Sequence, residues 1–145
     1  MTWNRCRYTP VNLSDLVFFY GTLMSGFKRA GRSRIDAKLT PQGRGWIHAT
    51  LFDLGIYPAA IPATDSRVWG EVHRMSDVDT VLAALDEIEG FRPAEPDTSL
   101  YTRVETAVTF EDGHVAGAWA YFYNAPLGGA QRIESGDYLE HLKVK

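Results

Sequence analysis

Glu89 is an ionisable side chain on a face built for apolar ones. Residues 76–90, SDVDTVLAALDEIEG, open on Ser76 as an N-cap, carry Asp79 at the N3 position and stop at Gly90, a natural C′ residue. Between them Val78, Val81, Leu82, Leu85 and Ile88 recur at helical spacing and cover an arc from roughly −80° to +40° about Val78. On the same wheel Asp86 falls at about 80° and Glu87 at about 180°, where both reach water, whereas Glu89 falls at about 20°, inside the stripe. Burial disfavours its charged form, and so does the negative end of the helix dipole in the last turn. A carboxylate placed this way holds a proton near neutral pH, which is the profile of a general base. The alternative is a structural carboxylate paired with an arginine such as Arg92 or Arg103.

A second feature with chemical potential is the turn after the run Leu16-Val17-Phe18-Phe19-Tyr20. Gly21-Thr22-Leu23-Met24-Ser25-Gly26 sets two glycines around small or polar residues, so that backbone N–H groups can be offered to an anion. It lacks the Lys-Ser/Thr ending of a phosphate-binding loop, so no nucleotide is implied, and an ordinary tight turn is the plainer reading. No nucleophile competes with Glu89. The single cysteine, Cys6, lies in the N-terminal stretch, and His48, His73, His114 and His141 show no pairing with a nucleophile. No cysteine or histidine spacing suggests a metal.

The chain that must position these groups has 145 residues, 45% of them hydrophobic and 23% charged, as expected of one globular domain. A net charge of −3 argues against a nucleic-acid surface. Its most basic stretch, Lys28, Arg29, Arg32, Arg34 and Lys38, is diluted by glycine and alanine and reads as a solvated surface. One cysteine allows no intrachain disulfide. No apolar run reaches membrane-spanning length or matches a signal peptide, so the expectation is a cytoplasmic protein with no membrane partner.

Residues 1–15 are mixed and polar and are expected to form an arm, leaving 16–145 as a single domain. After the first strand, 28–39 could form a short helix despite Gly31. Trp46, Ile47, Thr50, Leu51 and Phe52 mark a strand, Gly55 breaks it, and residues 68–72 form another in which Gly70 invites a bulge or a close backbone approach. A hairpin follows the helix. Residues 100–110 place Tyr101, Arg103 and Glu105 on one face and Val104, Val108 and Phe110 on the other, Asp112-Gly113 turns, and 114–123 return with Trp119, Tyr121 and Tyr123 on one face. Several short strands, one clear helix and no βα alternation point to a small β-barrel or strongly curved sheet with appended helices.

Four segments, taken together, resemble the γ-glutamylcyclotransferase-like, or AIG2-like, family. They are Phe19-Tyr20-Gly21-Thr22-Leu23; Leu51-Phe52-Asp53-Leu54-Gly55 with Tyr57-Pro58-Ala59; Leu85-Asp86-Glu87-Ile88-Glu89-Gly90-Phe91 leading to Tyr101-Thr102-Arg103; and Ser135-Gly136-Asp137-Tyr138. The resemblance implies an α+β fold, a small mixed β-barrel flanked by a few short helices. It implies a reaction without cofactor or metal on a small-molecule γ-glutamyl substrate. There the α-amine attacks its own side-chain carbonyl and releases 5-oxoproline with an amine or amino acid. By position the family's catalytic Glu matches Glu89, and its substrate-binding turn matches Tyr20, Gly21, Thr22 and Leu23. Tyr101, Tyr121 and Tyr123 are candidates for pocket walls or hydroxyl donors.

One departure concerns Met24-Ser25-Gly26-Phe27-Lys28-Arg29, where many relatives carry Arg-x-Gly and a nearby Asn. It bears on how the rest of the substrate is held. A monomer or weak homodimer is expected. The competing reading is a non-catalytic small-molecule binding module on the same fold, and a third is an acyl-protein deprotection role that some relatives have.

Overall fold

Alternation of apolar and polar residues closes five strands into a barrel in the computed structural model, which describes residues 14–27 and 29–143. In chain order the elements are β1 (Leu16–Phe19), β2 (Leu39–Asp53), β3 (Pro58–Met75), α1 (Val78–Glu89), β4 (Tyr101–Phe110), β5 (Val115–Tyr123), a two-residue β6 (Gln131–Arg132) and α2 (Tyr138–Lys143). The strands run β3-β1-β5-β4-β2, and pairing of β2 with β3 completes the ring, while β6 adds to the outer end of β2. Every pairing is antiparallel except β1 with β5, where Val17 lies opposite Trp119. The expected small mixed barrel with a few short helices is therefore the observed fold.

β1 is the innermost strand, and all four of its residues are buried. It is hydrogen-bonded on both edges, to β3 through Leu16↔Arg74 to Phe19↔Glu71 and to β5 on the other side, which explains its unbroken apolar run. Ile47, Leu51, Val68, Val72 and Val108 fill the core around it, and Val81, Leu82 and Leu85 pack from α1. At Gly70, β3 comes close to β1. A Cβ there would stand 2.2 Å from the Phe19 carbonyl oxygen, so glycine serves a close approach, with Gly70 in plain register opposite Gly45.

β2 and β3 are far longer than the sequence suggested, running from Leu39↔Met75 to Asp53↔Pro58. Pro41, Gly43 and Pro62 fall at the register shifts of this pairing. Between His48↔Arg67 and Ala49↔Pro62, β3 carries residues 63–66 as extra chain. The expected helix over 28–39 is not formed. Gly31 takes a left-handed φ of 88°, and the segment makes two single 3₁₀ turns, Arg32–Arg34 and Asp36–Lys38.

The N-cap of α1 is Asp77, whose carboxylate accepts from Thr80 N at 3.4 Å. Ser76, the expected N-cap, lies just past β3, its N–H donating to Lys38 O. At the other end Gly90, at φ 69°, donates to Glu87 O and Phe91 donates to Asp86 O, a Schellman closure that fixes Glu89 as the last helical residue. Residues 1–13 of the expected arm lie outside the described residues, as does Lys28. Ser14 and Asp15 are fastened to the barrel, Ser14 O accepting from Trp119 Nε1 and Asp15 O from Met75 N. Among the described residues no helix is long and apolar enough to cross a membrane.

Candidate active site

The end of β1, the last turn of α1, the β2–β3 connection, the start of β4 and the end of β5 converge on one narrow cleft of about 20 Å³. Its floor is Phe18, Phe19 and Tyr20; the turn Gly21-Thr22-Leu23 forms one rim; Tyr57 and Pro58 form another; Tyr101, Tyr121 and Glu89 close the remaining side. Gly21 is needed for this closeness, because a Cβ there would meet Pro58 Cγ at 2.7 Å. The rim turn is closed by Met24 N donating to Gly21 O, and its far end is held by Glu71, which accepts from Ser25 N at 2.8 Å. Burial pushes the Glu71 carboxyl upward, but its bonds to His73 and Ser25 outweigh that and hold it below the usual range. Among the described residues the N–H groups of Thr22 and Leu23 meet no protein acceptor, which leaves them available to an anion.

Glu89 is the one carboxylate that lines this cleft. Its side chain is 13% exposed and lies 3.8 Å from the Arg29 guanidinium. Burial pushes its carboxyl up to about 7 against the opposing pull of Arg29. Neither Arg92 nor Arg103, the partners considered for a structural ion pair, meets it. Arg92 turns to Thr98 and Glu95, and Arg103 to Asp86.

Three of the cleft's tyrosines are committed to the scaffold. Tyr20 Oη donates to Tyr121 O at 2.7 Å and accepts from Ala60 N, and Tyr101 Oη donates to Pro58 O at 3.0 Å. Tyr121 Oη donates to Asp86 Oδ1 at 2.6 Å. Burial is the main reason that all three phenols are shifted far upward, so they stay neutral hydrogen-bond donors. Tyr123 does not line the cleft; it packs edge-on against Tyr101, ring centroids 5.3 Å apart, and braces it.

Two readings of the sequence are corrected here. Asp86 was expected to reach water, yet it is 7% exposed. Arg103 of β4 grips it through Nε at 2.8 Å and Nη2 at 3.2 Å, and Tyr121 of β5 caps it. The Arg29 and Arg32 side chains, read as solvated, are 20% and 12% exposed. Arg29 donates to Thr22 Oγ1 and Ile88 O, and Arg32 donates to Leu23 O while its guanidinium lies over Phe19. Both fasten the rim turn. Tyr57 and Pro58 as cleft walls were also missed, although their place after the Gly55 break could have marked a loop returning to the site.

Comparison with known proteins bears on family and fold. Residues 17–140 match the family described as gamma-glutamyl cyclotransferase, AIG2-like. The Escherichia coli K12 protein named gamma-glutamylcyclotransferase family protein YtfP is 33% identical over 93 residues, which span 64% of this chain and 70% of YtfP. The solution structure of ytfP from Escherichia coli superposes with a TM-score of 0.61 at 31% identity, covering 87% of this chain and 97% of that one. YkqA from Bacillus subtilis shares the fold at a TM-score of 0.68 and 24% identity, with 91% of this chain covered but only 42% of YkqA. By its sequence and its fold, the chain belongs to the gamma-glutamyl cyclotransferase, AIG2-like family.

Proposed function

We propose that the protein is a γ-glutamyl cyclotransferase that releases 5-oxoproline from a γ-glutamyl-amine or γ-glutamyl-amino acid, with Glu89 as general acid and base. The observation that carries this reading is one buried carboxylate, poised near neutrality, that lines the same cleft as the Gly21-Thr22-Leu23 turn. Glu89 takes a proton from the substrate's α-ammonium, because only the free amine can attack. The amine nitrogen then bonds to the side-chain carbonyl carbon, and the carbonyl oxygen becomes an oxyanion. Collapse of that intermediate breaks the bond to the leaving nitrogen, which collects the proton from Glu89, and the ring nitrogen gives up its extra proton, so that the positive charge departs with the released amine as ammonium. The ring formed is 5-oxoproline, and no external reactant is consumed.

Backbone donors of the Thr22 turn suit either the oxyanion or the substrate carboxylate, both of which are anions that fixed N–H groups stabilise. The tyrosine walls exclude water and hold the amine near the carbonyl, and for an intramolecular attack orientation supplies much of the rate. The test is a 5-oxoproline assay of wild type and Glu89→Gln with γ-glutamyl-alanine, γ-glutamyl-ε-lysine and glutathione. Product from wild type alone supports the assignment and identifies the leaving group. Equal product from both proteins would remove Glu89 from the mechanism, and none from either would favour a binding module.

A further inference from the structure

The cation nearest Glu89 stands behind the cleft and is not one of its walls. Arg29 Nη1 donates to Thr22 Oγ1 at 2.6 Å, Nη2 donates to Ile88 O at 3.3 Å, and the same Nη2 lies 3.8 Å from Glu89 Oε2. Its guanidinium also sits 5.1 Å from the Tyr57 ring centroid. These contacts join the rim turn after β1, the end of α1 and the β2–β3 connection, three pieces that no hydrogen-bonded ladder ties together at this point.

Division of the guanidinium among these partners matters chemically. A two-pronged pair with Glu89, like that of Arg103 with Asp86, would occupy the carboxylate and keep a proton off it. Arg29 instead gives its close bonds to Thr22 and Ile88 and leaves Glu89 a looser contact. The other charged or titratable groups around Glu89 offer no substitute. Tyr20, Tyr101 and Tyr121 face it as neutral phenols, Tyr57 lines the same cleft, and Asp86 on its own helix is taken by Arg103.

We propose that Arg29 is a positioning residue that pins the Thr22 turn to the end of α1 and supplies the fixed positive charge behind Glu89, without touching substrate. The inference rests on the cyclotransferase reading of the site. Its electrostatic half agrees with the direction in which Arg29 acts on Glu89, opposing the effect of burial.

Two variants and two readouts test it. Arg29→Met removes the charge and both bonds, whereas Arg29→Lys keeps a charge but cannot reach Thr22 and Ile88 together. The readouts are the pH profile of kcat/KM and the 13C-detected titration of the Glu89 carboxyl in substrate-free protein, assigned by its absence in Glu89→Gln. In Arg29→Met both midpoints should move up by about one pH unit, which lowers kcat/KM about tenfold on the acid side. Arg29→Lys should keep the midpoint and raise KM, because the turn is no longer pinned. Should Arg29→Met fail to fold, Arg29→Gln makes the same comparison with a polar side chain.

A Glu89 midpoint in the charge-free variant equal to that of wild type overturns the inference. Failure of Arg29's role and failure of the reaction give different results. Turnover with an unmoved midpoint leaves the reaction standing and removes Arg29. Absence of turnover from wild type removes the reaction, while the substrate-free titration still decides what Arg29 does to Glu89.

Discussion

Asp86 and Glu89 lie one turn apart on α1 and face the same cluster of tyrosines, yet their carboxylates are set for opposite tasks. Asp86 is neutralised by Arg103 through two bonds, at 2.8 Å and 3.2 Å, and capped by Tyr121 at 2.6 Å. Glu89 has a looser cation at 3.8 Å and the open cleft in front of it. Mutation should therefore separate a stability role from a catalytic one. Asp86→Asn leaves Arg103 without its counter-charge and should lower folding stability by about 3 kcal/mol, read by urea denaturation. Glu89→Gln keeps the shape of the side chain, should fold, and should lose turnover by about a thousandfold or more, as expected when the sole base is removed. A normally active Glu89→Gln enzyme would falsify the assignment of the base.

Activity should rise with pH along a limb centred near 7, because the proton on Glu89 must leave before it can accept one from the substrate amine. Stability should move the other way. The Glu89 carboxyl is raised from 4.5 to about 7 in the folded protein, so between those values the native state binds the proton that the unfolded chain has lost. Glu89 therefore weakens folding as pH rises through that window, by an amount on the order of 1–3 kcal/mol. Glu89→Gln should be more stable than wild type at pH 8 and show no such advantage at pH 4. Thermal melts at the two pH values check this, and equal differences at both would contradict the raised carboxyl.

How much of this was legible depended on where each residue's partners lie. Glu89 could be found from the sequence because its burial follows from the period of its own helix, Val81 through Ile88. Asp86 could not, because it sits at the edge of the apolar stripe and is drawn in by Arg103 and Tyr121, 17 and 35 residues away. Arg29 and Arg32 read as surface for the same reason. Their burial comes from the rim turn folding back over them, not from any local pattern. The lengths of β2 and β3 were hidden by Pro41, Gly43 and Pro62. Read locally these residues end strands; in a closed barrel they become the shifts that let a long hairpin bend.

Tyr101→Phe tests whether the phenols are donors to substrate or parts of the wall. The Tyr101 hydroxyl is already spent on Pro58 O at 3.0 Å, so its removal should cost about 1 kcal/mol of stability and slow turnover by less than about tenfold. Steady-state kinetics with a denaturation curve decides between the roles. Turnover slowed about a hundredfold or more, with stability unchanged, would make Tyr101 a direct donor.

Two glycines should respond to alanine in different ways, because different atoms oppose the added methyl group. At Gly21 the obstacle is Pro58 Cγ at 2.7 Å, a ring at the start of β3 that can shift by a few tenths of an ångström. Gly21→Ala should therefore fold with a modest loss, about 1–2 kcal/mol, while the displaced rim turn lowers kcat/KM by about tenfold or more. At Gly70 the obstacle is the Phe19 carbonyl at 2.2 Å, a backbone atom fixed by the β1–β3 ladder. Neither strand can retreat without breaking that ladder, so Gly70→Ala should be severely destabilised, by about 3 kcal/mol or more, and poorly soluble. Circular dichroism melts and soluble yield, with kinetics on whatever folds, distinguish the two. Gly70→Ala with wild-type stability would mean that β1 and β3 lie farther apart than this register requires.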